Sequence, residues 1–261
     1  MRKGVILAGG TGSRLKPLTD VTNKHLLPVG TKPMILHLVD KLVSVGITEI
    51  MVITGTEHMG DMISLLGSGN KYDCSFTFKV QESAAGIADA LRLAENFVGN
   101  ENFMVLLGDN IFEDCLSKTI KKYKKSGKKC FLLLKEVHDP ERYGVAIFND
   151  TDIVQIIEKP KTYVSNMCVA GIYIYDSSVF SKISKLTPSR RGEYEITELN
   201  NLYIQEGTAG YDILNGWWTD AGTHASYQKA NYLVNKAENI QTQKIAEKYF
   251  NQIAKDEREG L

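Results

Sequence analysis

The segment Leu7-Ala8-Gly9-Gly10-Thr11-Gly12-Ser13-Arg14-Leu15-Lys16-Pro17 sets three glycines and two hydroxyl residues directly behind a short apolar run. Glycines there permit positive φ and close backbone approach, so successive N–H groups can converge on a phosphate. Two familiar phosphate loops do not fit. A Walker loop needs Gly-Lys-Ser/Thr, whereas Gly12 is followed by Ser13 and Arg14. A dinucleotide fingerprint needs a third glycine, and Leu15 holds that place after Gly10 and Gly12. A glycine loop alone also serves as a tight structural turn. Arg14 inside the loop and Lys24 beyond it add a forked donor and a point charge, both suited to phosphate oxygens. Cys74, Cys115, Cys130 and Cys168 lie far apart with no CxxC, so a structural zinc site is not expected. His25, His37, His58, His138 and His224 show no metal-ligand spacing, and no catalytic histidine is expected.

The elements that would position these groups follow from apolar patterning. Gly4 to Ala8, Glu49 to Ile53, Ser75 to Val80, Phe103 to Leu107 and Cys130 to Leu134 read as strands, several apolar enough to be buried on both faces. Between them Pro33 to Val45, Met59 to Leu66, Ala88 to Phe97 and Leu116 to Ser126 read as helices, with Pro33 at a first helical position and Gly46 as a stop. This βα alternation predicts a Rossmann-like α/β domain with a mixed, mostly parallel central sheet and helices on both faces. Ligand sites then fall beyond the carboxyl ends of the strands, where the Gly9 loop and Asp109 both lie. After Asp139-Pro140 the short strands Val145 to Phe148, Ile153 to Ile157 and Val169 to Tyr175 predict a small antiparallel β insertion. Helical patterns return at Glu195 to Gln205, His224 to Lys236 and Thr242 to Ile253. The expected division is one domain over 1–240 with a short helical tail over 241–261.

Six ordered motifs carry a specific resemblance. They are the glycine loop through Pro17-Leu18-Thr19 with Asn23-Lys24-His25-Leu26-Leu27-Pro28-Val29, then Gln81 with Gly86, then Leu107-Gly108-Asp109-Asn110, then Asp139-Pro140-Glu141-Arg142-Tyr143-Gly144, then Glu158-Lys159-Pro160 with Arg191-Gly192-Glu193, and last Trp218-Thr219-Asp220-Ala221-Gly222-Thr223. Together they resemble the sugar-phosphate nucleotidyltransferases, most closely the branch that transfers thymidylyl groups to glucose 1-phosphate. The resemblance implies substrates dTTP and glucose 1-phosphate, products dTDP-glucose and pyrophosphate, and Mg2+ as cofactor. It also implies use of the product for dTDP-rhamnose and surface polysaccharide, and a homo-oligomer, dimer or tetramer. Residue by residue, it places Ala8, Gly9, Gly10, Thr11, Gly12, Ser13, Arg14, Lys24, Gln81, Gly86 and Asp109 around the nucleotide. Asp109, Gly144, Glu158, Lys159, Gly171 and Arg191 fall around the sugar phosphate, and Asp109 and Asp220 on the metal. Arg14, Lys24 and Lys159 carry the catalytic charge. Without it, Asp109 and Asp220 read as turn or cap residues, Lys159 as a turn lysine and Gln81 as a solvated strand end. Members commonly have Gln where this chain has His25, and a longer helical tail than the one ending soon after Ile253. A regulatory nucleotide pocket is therefore not expected to carry over. UTP- or ATP-dependent sugar-phosphate nucleotidyltransferases are the nearest alternatives, and a non-catalytic nucleotide sensor of the same fold is a more distant one. A metal-dependent glycosyltransferase would be expected to show Asp-x-Asp, where this strand ends in Gly108-Asp109-Asn110.

Composition limits the partners. With 261 residues, 43% apolar and 24% charged, the chain can bury roughly 70–75% of its unfolded surface. Lys plus Arg and Asp plus Glu are each 31, so no global field holds nucleic acid or an anionic membrane. The lysines of Leu116 to Ser126 read as a solvated helix face. The apolar run after Met1-Arg2-Lys3 stops too early for a secretory signal, no run approaches a membrane span, and scattered thiols suit a cytoplasmic setting.

Overall fold

The computed structural model describes residues 1–239 and Thr242. In chain order it contains β1 (Lys3–Ala8), β2 (Pro28–Val29), β3 (Lys32–Pro33), α1 (Met34–Val43), β4 (Glu49–Thr54), α2 (Met59–Leu66) and β5 (Ser75–Val80). Then come α3 (Ile87–Arg92), α4 (Glu95–Val98), β6 (Phe103–Leu107), β7 (Asn110–Phe112), α5 (Ser117–Ser126), β8 (Cys130–Glu136), β9 (Gly144–Asn149) and β10 (Asp152–Glu158). β11 (Met167–Tyr175), α6 (Val179–Ile183), α7 (Ile196–Gln205), β12 (Ala209–Ile213) and β13 (Trp218–Asp220) complete the series, followed by helical residues 224–239. The tail 241–261 and the helix expected from Thr242 to Ile253 lie, Thr242 apart, outside the described residues.

Among the described residues the main sheet runs β12, β8, β11, β6, β1, β4, β5, and the β9–β10 hairpin joins it through Val145 opposite Cys168. β11 is antiparallel to both neighbours, β6 and β8, while the other pairs along that path are parallel. The apolar strands explain the layering, because successive side chains point to opposite faces. On one face Ile6, Val52 and Leu106 pack with Leu38 and Leu42 of α1, Met62 of α2 and Tyr123 of α5. On the other, Val5, Met51 and Val105 pack with Leu91 of α3, Phe180 of α6 and Leu199 of α7. The expected two-sided α/β domain, with its antiparallel insertion, is the observed one.

Local differences have physical causes. Pro33 caps α1 rather than opening it, since its ψ of 142° is extended and it pairs with Pro28 in the β2–β3 ribbon. The helix expected over Ala88 to Phe97 is two helices. Leu93 and Ala94 donate to carbonyls only three residues back, Ala90 and Leu91, which tightens the turn and reorients the chain. Trp218-Thr219-Asp220, expected as turn, is a strand paired with β7.

Candidate active site

A cleft of about 800 Å³ opens beyond the carboxyl ends of β1 and β6. Asp109 follows β6 by two residues and is fixed there by three hydrogen bonds, two of them from distant parts of the chain. Its backbone carbonyl accepts from Ala221 N–H at 2.7 Å, its Oδ1 accepts from Asn110 Nδ2 at 2.9 Å, and its Oδ2 accepts from Lys24 Nζ at 2.5 Å. Burial pushes the Asp109 carboxyl up, but the Lys24 ammonium and the bonds from Lys24 and Asn110 outweigh it and hold the group well below the usual carboxylate range. Asp109 is therefore an anion at neutral pH.

Asp220 reaches the same place through the β7–β13 ribbon, where it lies opposite Asn110. Its carboxylate accepts two bonds of 3.3 Å from Arg142 Nη2 and one of 3.2 Å from the Tyr143 hydroxyl. Burial raises the Tyr143 phenol and the Asp220 charge adds to it, so the hydroxyl stays a donor. Gly222 marks where these groups meet. A methyl on its Cα would stand 3.1 Å from Arg14 Nη2, 3.3 Å from Asp220 Oδ2 and 3.4 Å from Asp109 Oδ2. A guanidinium and two carboxylates thus close around Gly222 and line the same cleft.

Asn110 holds this end of the cleft together. It is buried, and its Oδ1 accepts from Trp218 Nε1 at 2.8 Å and from Gly171 N–H at 3.0 Å while its Nδ2 serves Asp109. One amide thereby ties β6, β11 and β13 to the site. His25, beside Lys24, is fully enclosed and its imidazole is lowered to about 3 by burial and by the Lys24 charge, so it is neutral. Its Nδ1 lies 2.6 Å from Asn23 Oδ1, an acceptor, which leaves Nε2 unprotonated.

The opposite wall comes from β9, β10, the segment before α7 and the first turn of α7. Thr197 donates to Glu158 Oε2 at 2.6 Å, and a Cβ at Gly144 would sit 3.1 Å from Thr197 Oγ1 and 3.3 Å from Glu158 Oε2. Lys159 holds a left-handed φ of 45° that turns the chain at the strand end, and its Nζ is 3.8 Å from Glu158 Oε1. Arg191 forks onto both Glu195 oxygens at 2.9 Å. The third wall is Gln81, at the end of β5, and Gly86. Gly86 has φ 104°, and a Cβ there would lie 2.6 Å from the Tyr194 carbonyl oxygen, so only glycine fits.

The family model described as nucleotidyl transferase matches residues 3–237, nearly all of the described chain. The chain belongs to this family. A glucose-1-phosphate thymidylyltransferase of Neisseria meningitidis serogroup A is 40% identical over 248 residues, covering 94% of this chain and 86% of that one. A Bacillus anthracis structure, described as a candidate glucose-1-phosphate thymidylyltransferase in complex with a sucrose, superposes with a TM-score of 0.85 at 56% identity, over 88% of this chain and 94% of that one. UDP-glucose pyrophosphorylase bound to UDP-glucose shares the fold at a TM-score of 0.79 and 24% identity, over 91% of this chain and 99% of that one.

In this nucleotidyl transferase the cleft gathers Gly9, Gly10, Arg14, Lys24, Gln81, Gly86, Asp109, Gly144, Glu158, Lys159, Gly171, Arg191 and Asp220 of the sequence-predicted residues. Four others stand apart. Ala8 is buried in β1, Thr11 lines a neighbouring hollow, and Gly12 and Ser13 form the turn that carries Arg14, with Gly12 left-handed at φ 67°. Arg191 is committed to Glu195 rather than free. Asn110, Arg142, His25 and Gly222 also stand at the site without having been candidates from the sequence, and Tyr143, a candidate for packing a base or sugar, instead donates to Asp220. Their signal was adjacency to the motifs, as Asn110 and Arg142 each lie within one.

Asp109 and Asp220 are the groups that could hold a metal. Among the described residues there is no cluster of three or more His, Cys, Asp or Glu. Two carboxylates lining one cleft fit Mg2+, which takes hard oxygens and completes its shell with substrate phosphates and water. No described helix is long and apolar enough to cross a membrane.

Proposed function

We propose that the protein transfers the thymidylyl group of dTTP to glucose 1-phosphate, giving dTDP-glucose and pyrophosphate. The observation that carries this reading is the convergence of Arg14, Asp109 and Asp220 around Gly222, at one end of a cleft whose other walls hold Gln81 and the Glu158–Lys159 pair. The reaction joins two polyanions by in-line attack of a sugar-phosphate oxygen on the α-phosphorus. It needs positioning and charge neutralisation rather than a protein nucleophile.

Arg14 takes the β and γ phosphates and stabilises departing pyrophosphate. Lys24, held at 2.5 Å from Asp109, exchanges that partner for charge developing on the α-phosphate. Bound Mg2+, held by Asp109 and Asp220, would supply Lewis-acid stabilisation of the phosphoryl oxygens. Lys159 and Arg191 neutralise the sugar phosphate, with Arg191 loosening from Glu195, while Glu158 and the Gly144 backbone receive the sugar hydroxyls. Gln81 reads the base. Its Nε2 donates to Gly86 O and Asp89 Oδ2, so Oε1 is the group left for a ligand. An acceptor suits the N3–H of thymine or uracil and opposes the ring acceptors of cytosine and adenine.

The Neisseria and Bacillus relatives favour dTTP over the UTP reading. A sensor without catalysis would not need Arg14, Lys24, Asp109 and Asp220 together. The product would feed dTDP-rhamnose and surface polysaccharide synthesis in the cytoplasm, with the chain acting as a homo-oligomer. The test is a panel of dTTP, UTP, ATP and dCTP with glucose 1-phosphate and Mg2+, read by pyrophosphate release. Highest kcat/KM with dTTP is expected. Preference for UTP or ATP overturns the base assignment, and no release with any triphosphate overturns the reaction.

A further inference from the structure

Asp89 takes no part in the phosphate, sugar or metal arrangement, yet it lies against the residue that reads the base. Gln81 Nε2 has two hydrogens. One goes to Gly86 O at 3.1 Å and the other to Asp89 Oδ2 at 3.0 Å. Both partners only accept, so the amide has one orientation. Turned over, it would set Oε1 against a carbonyl oxygen and a carboxylate. Asp89 is itself fixed, because its Oδ1 accepts from Arg92 Nη2 at 2.9 Å one turn along α3, and its side chain is only 13% exposed. The freed Oε1 faces the glycine loop, where a Cβ on Gly9 would be 3.2 Å away.

We propose that Asp89 is the positioning residue for base selection, locking the Gln81 amide so that the cleft offers an acceptor and admits pyrimidines that carry N3–H. This rests on the proposed dTTP-dependent reaction. Without Asp89 the amide keeps only Gly86 O as an orienting partner, and its flipped form offers a donor that pairs with the N3 of cytosine. Asparagine at 89 weakens the lock without changing size, since its side chain can donate to Oε1 as readily as it accepts from Nε2.

The experiment compares kcat/KM for dTTP and dCTP in the wild type, Asp89→Asn, Asp89→Ala, Gln81→Ala and Gln81→Ala/Asp89→Asn, with melting temperatures alongside. A purely structural role would lower both substrates together, so the dTTP/dCTP ratio is the readout. The expected result is a ratio reduced at least tenfold in Asp89→Asn and Asp89→Ala, mainly through a lower KM for dCTP. In the Gln81→Ala background, Asp89→Asn should change the ratio less than twofold. A ratio within twofold of wild type in both Asp89 variants, while Gln81→Ala collapses it, overturns the role of Asp89 and leaves the base site standing. A wild type that does not discriminate dTTP from dCTP, or uses neither, overturns the proposal together with the reading on which it rests.

Discussion

Gly222→Ala adds one methyl at the point where the charges proposed to be catalytic, Arg14, Asp109 and Asp220, meet. The new carbon would lie 3.1 Å from Arg14 Nη2, 3.3 Å from Asp220 Oδ2 and 3.4 Å from Asp109 Oδ2. These separations are tighter than ordinary carbon contacts at about 3.5–4.0 Å, so the three polar groups must withdraw by tenths of an ångström, and an apolar group replaces the space for a cation and phosphate. Displacing preorganised charge from a transition state costs about 2–4 kcal/mol. At about 1.36 kcal/mol per decade, kcat should fall by about 30-fold to about 900-fold. Stability should not follow. Gly222 does not need a left-handed backbone, and replacing such a glycine by alanine restricts the unfolded chain, a gain of about 0.4–1 kcal/mol that offsets the crowding. The assay is pyrophosphate release at saturating dTTP and glucose 1-phosphate across a Mg2+ series, beside a thermal melt. A variant that melts as wild type and keeps wild-type kcat at every Mg2+ concentration would refute the convergence argument.

Asp109→Asn and Asp220→Asn should each lower Mg2+-dependent turnover by about 10²-fold or more with the fold retained by circular dichroism; near-wild-type turnover in either removes that residue from the metal. Arg14→Ala should cost about 2–4 kcal/mol of transition-state stabilisation, measured as kcat/KM for dTTP, and a loss under twofold contradicts its phosphate role. His25 gives a pH signature in the metal-free protein. Its folded pKa, lowered to about 3, lies below the unfolded value of about 6.5, so below that value the unfolded chain binds the extra proton and stability falls as pH falls. Between pH 6.5 and 5.5 the wild type should lose about 1 kcal/mol more than His25→Gln in urea unfolding, and parallel curves would show that the imidazole is not held neutral.

Long apolar runs made the sheet legible. Lys3–Ala8 and Phe103–Leu107 carry side chains that feed both cores, and their continuous hydrophobicity, short length and following glycines match strands covered on two sides. The strands that escaped notice lack that signal. Ala209–Ile213 is a half-exposed edge strand pairing β8, and Asn110–Phe112 and Trp218–Asp220 have three residues each, too few for any period to register. Yet that last pair brings Asp220 to Asp109. In the same way Asn110 matters through Trp218, 108 residues away, a relation that only the folded chain creates.

The pairing of the charges carries the synthesis further than their identities. Lys24 is bonded to Asp109, Arg142 to Asp220 and Arg191 to Glu195, so the described cleft holds much of its positive charge already answered by protein carboxylates. Equal totals of basic and acidic residues are therefore reproduced locally. On the proposed reaction such a site would work in part by exchange: a phosphate that draws Lys24 from Asp109 or Arg142 from Asp220 would free that carboxylate for a divalent ion. The cost of parting a pair is offset best when both new partners arrive, since the carboxylates of Asp109 and Asp220 are largely shielded from water and either would be poorly solvated alone. Nucleotide and metal should accordingly bind with positive coupling, and Asp220→Asn should weaken the effect of Mg2+ on dTTP affinity as much as it weakens the effect of dTTP on Mg2+ affinity, because the coupling free energy is reciprocal.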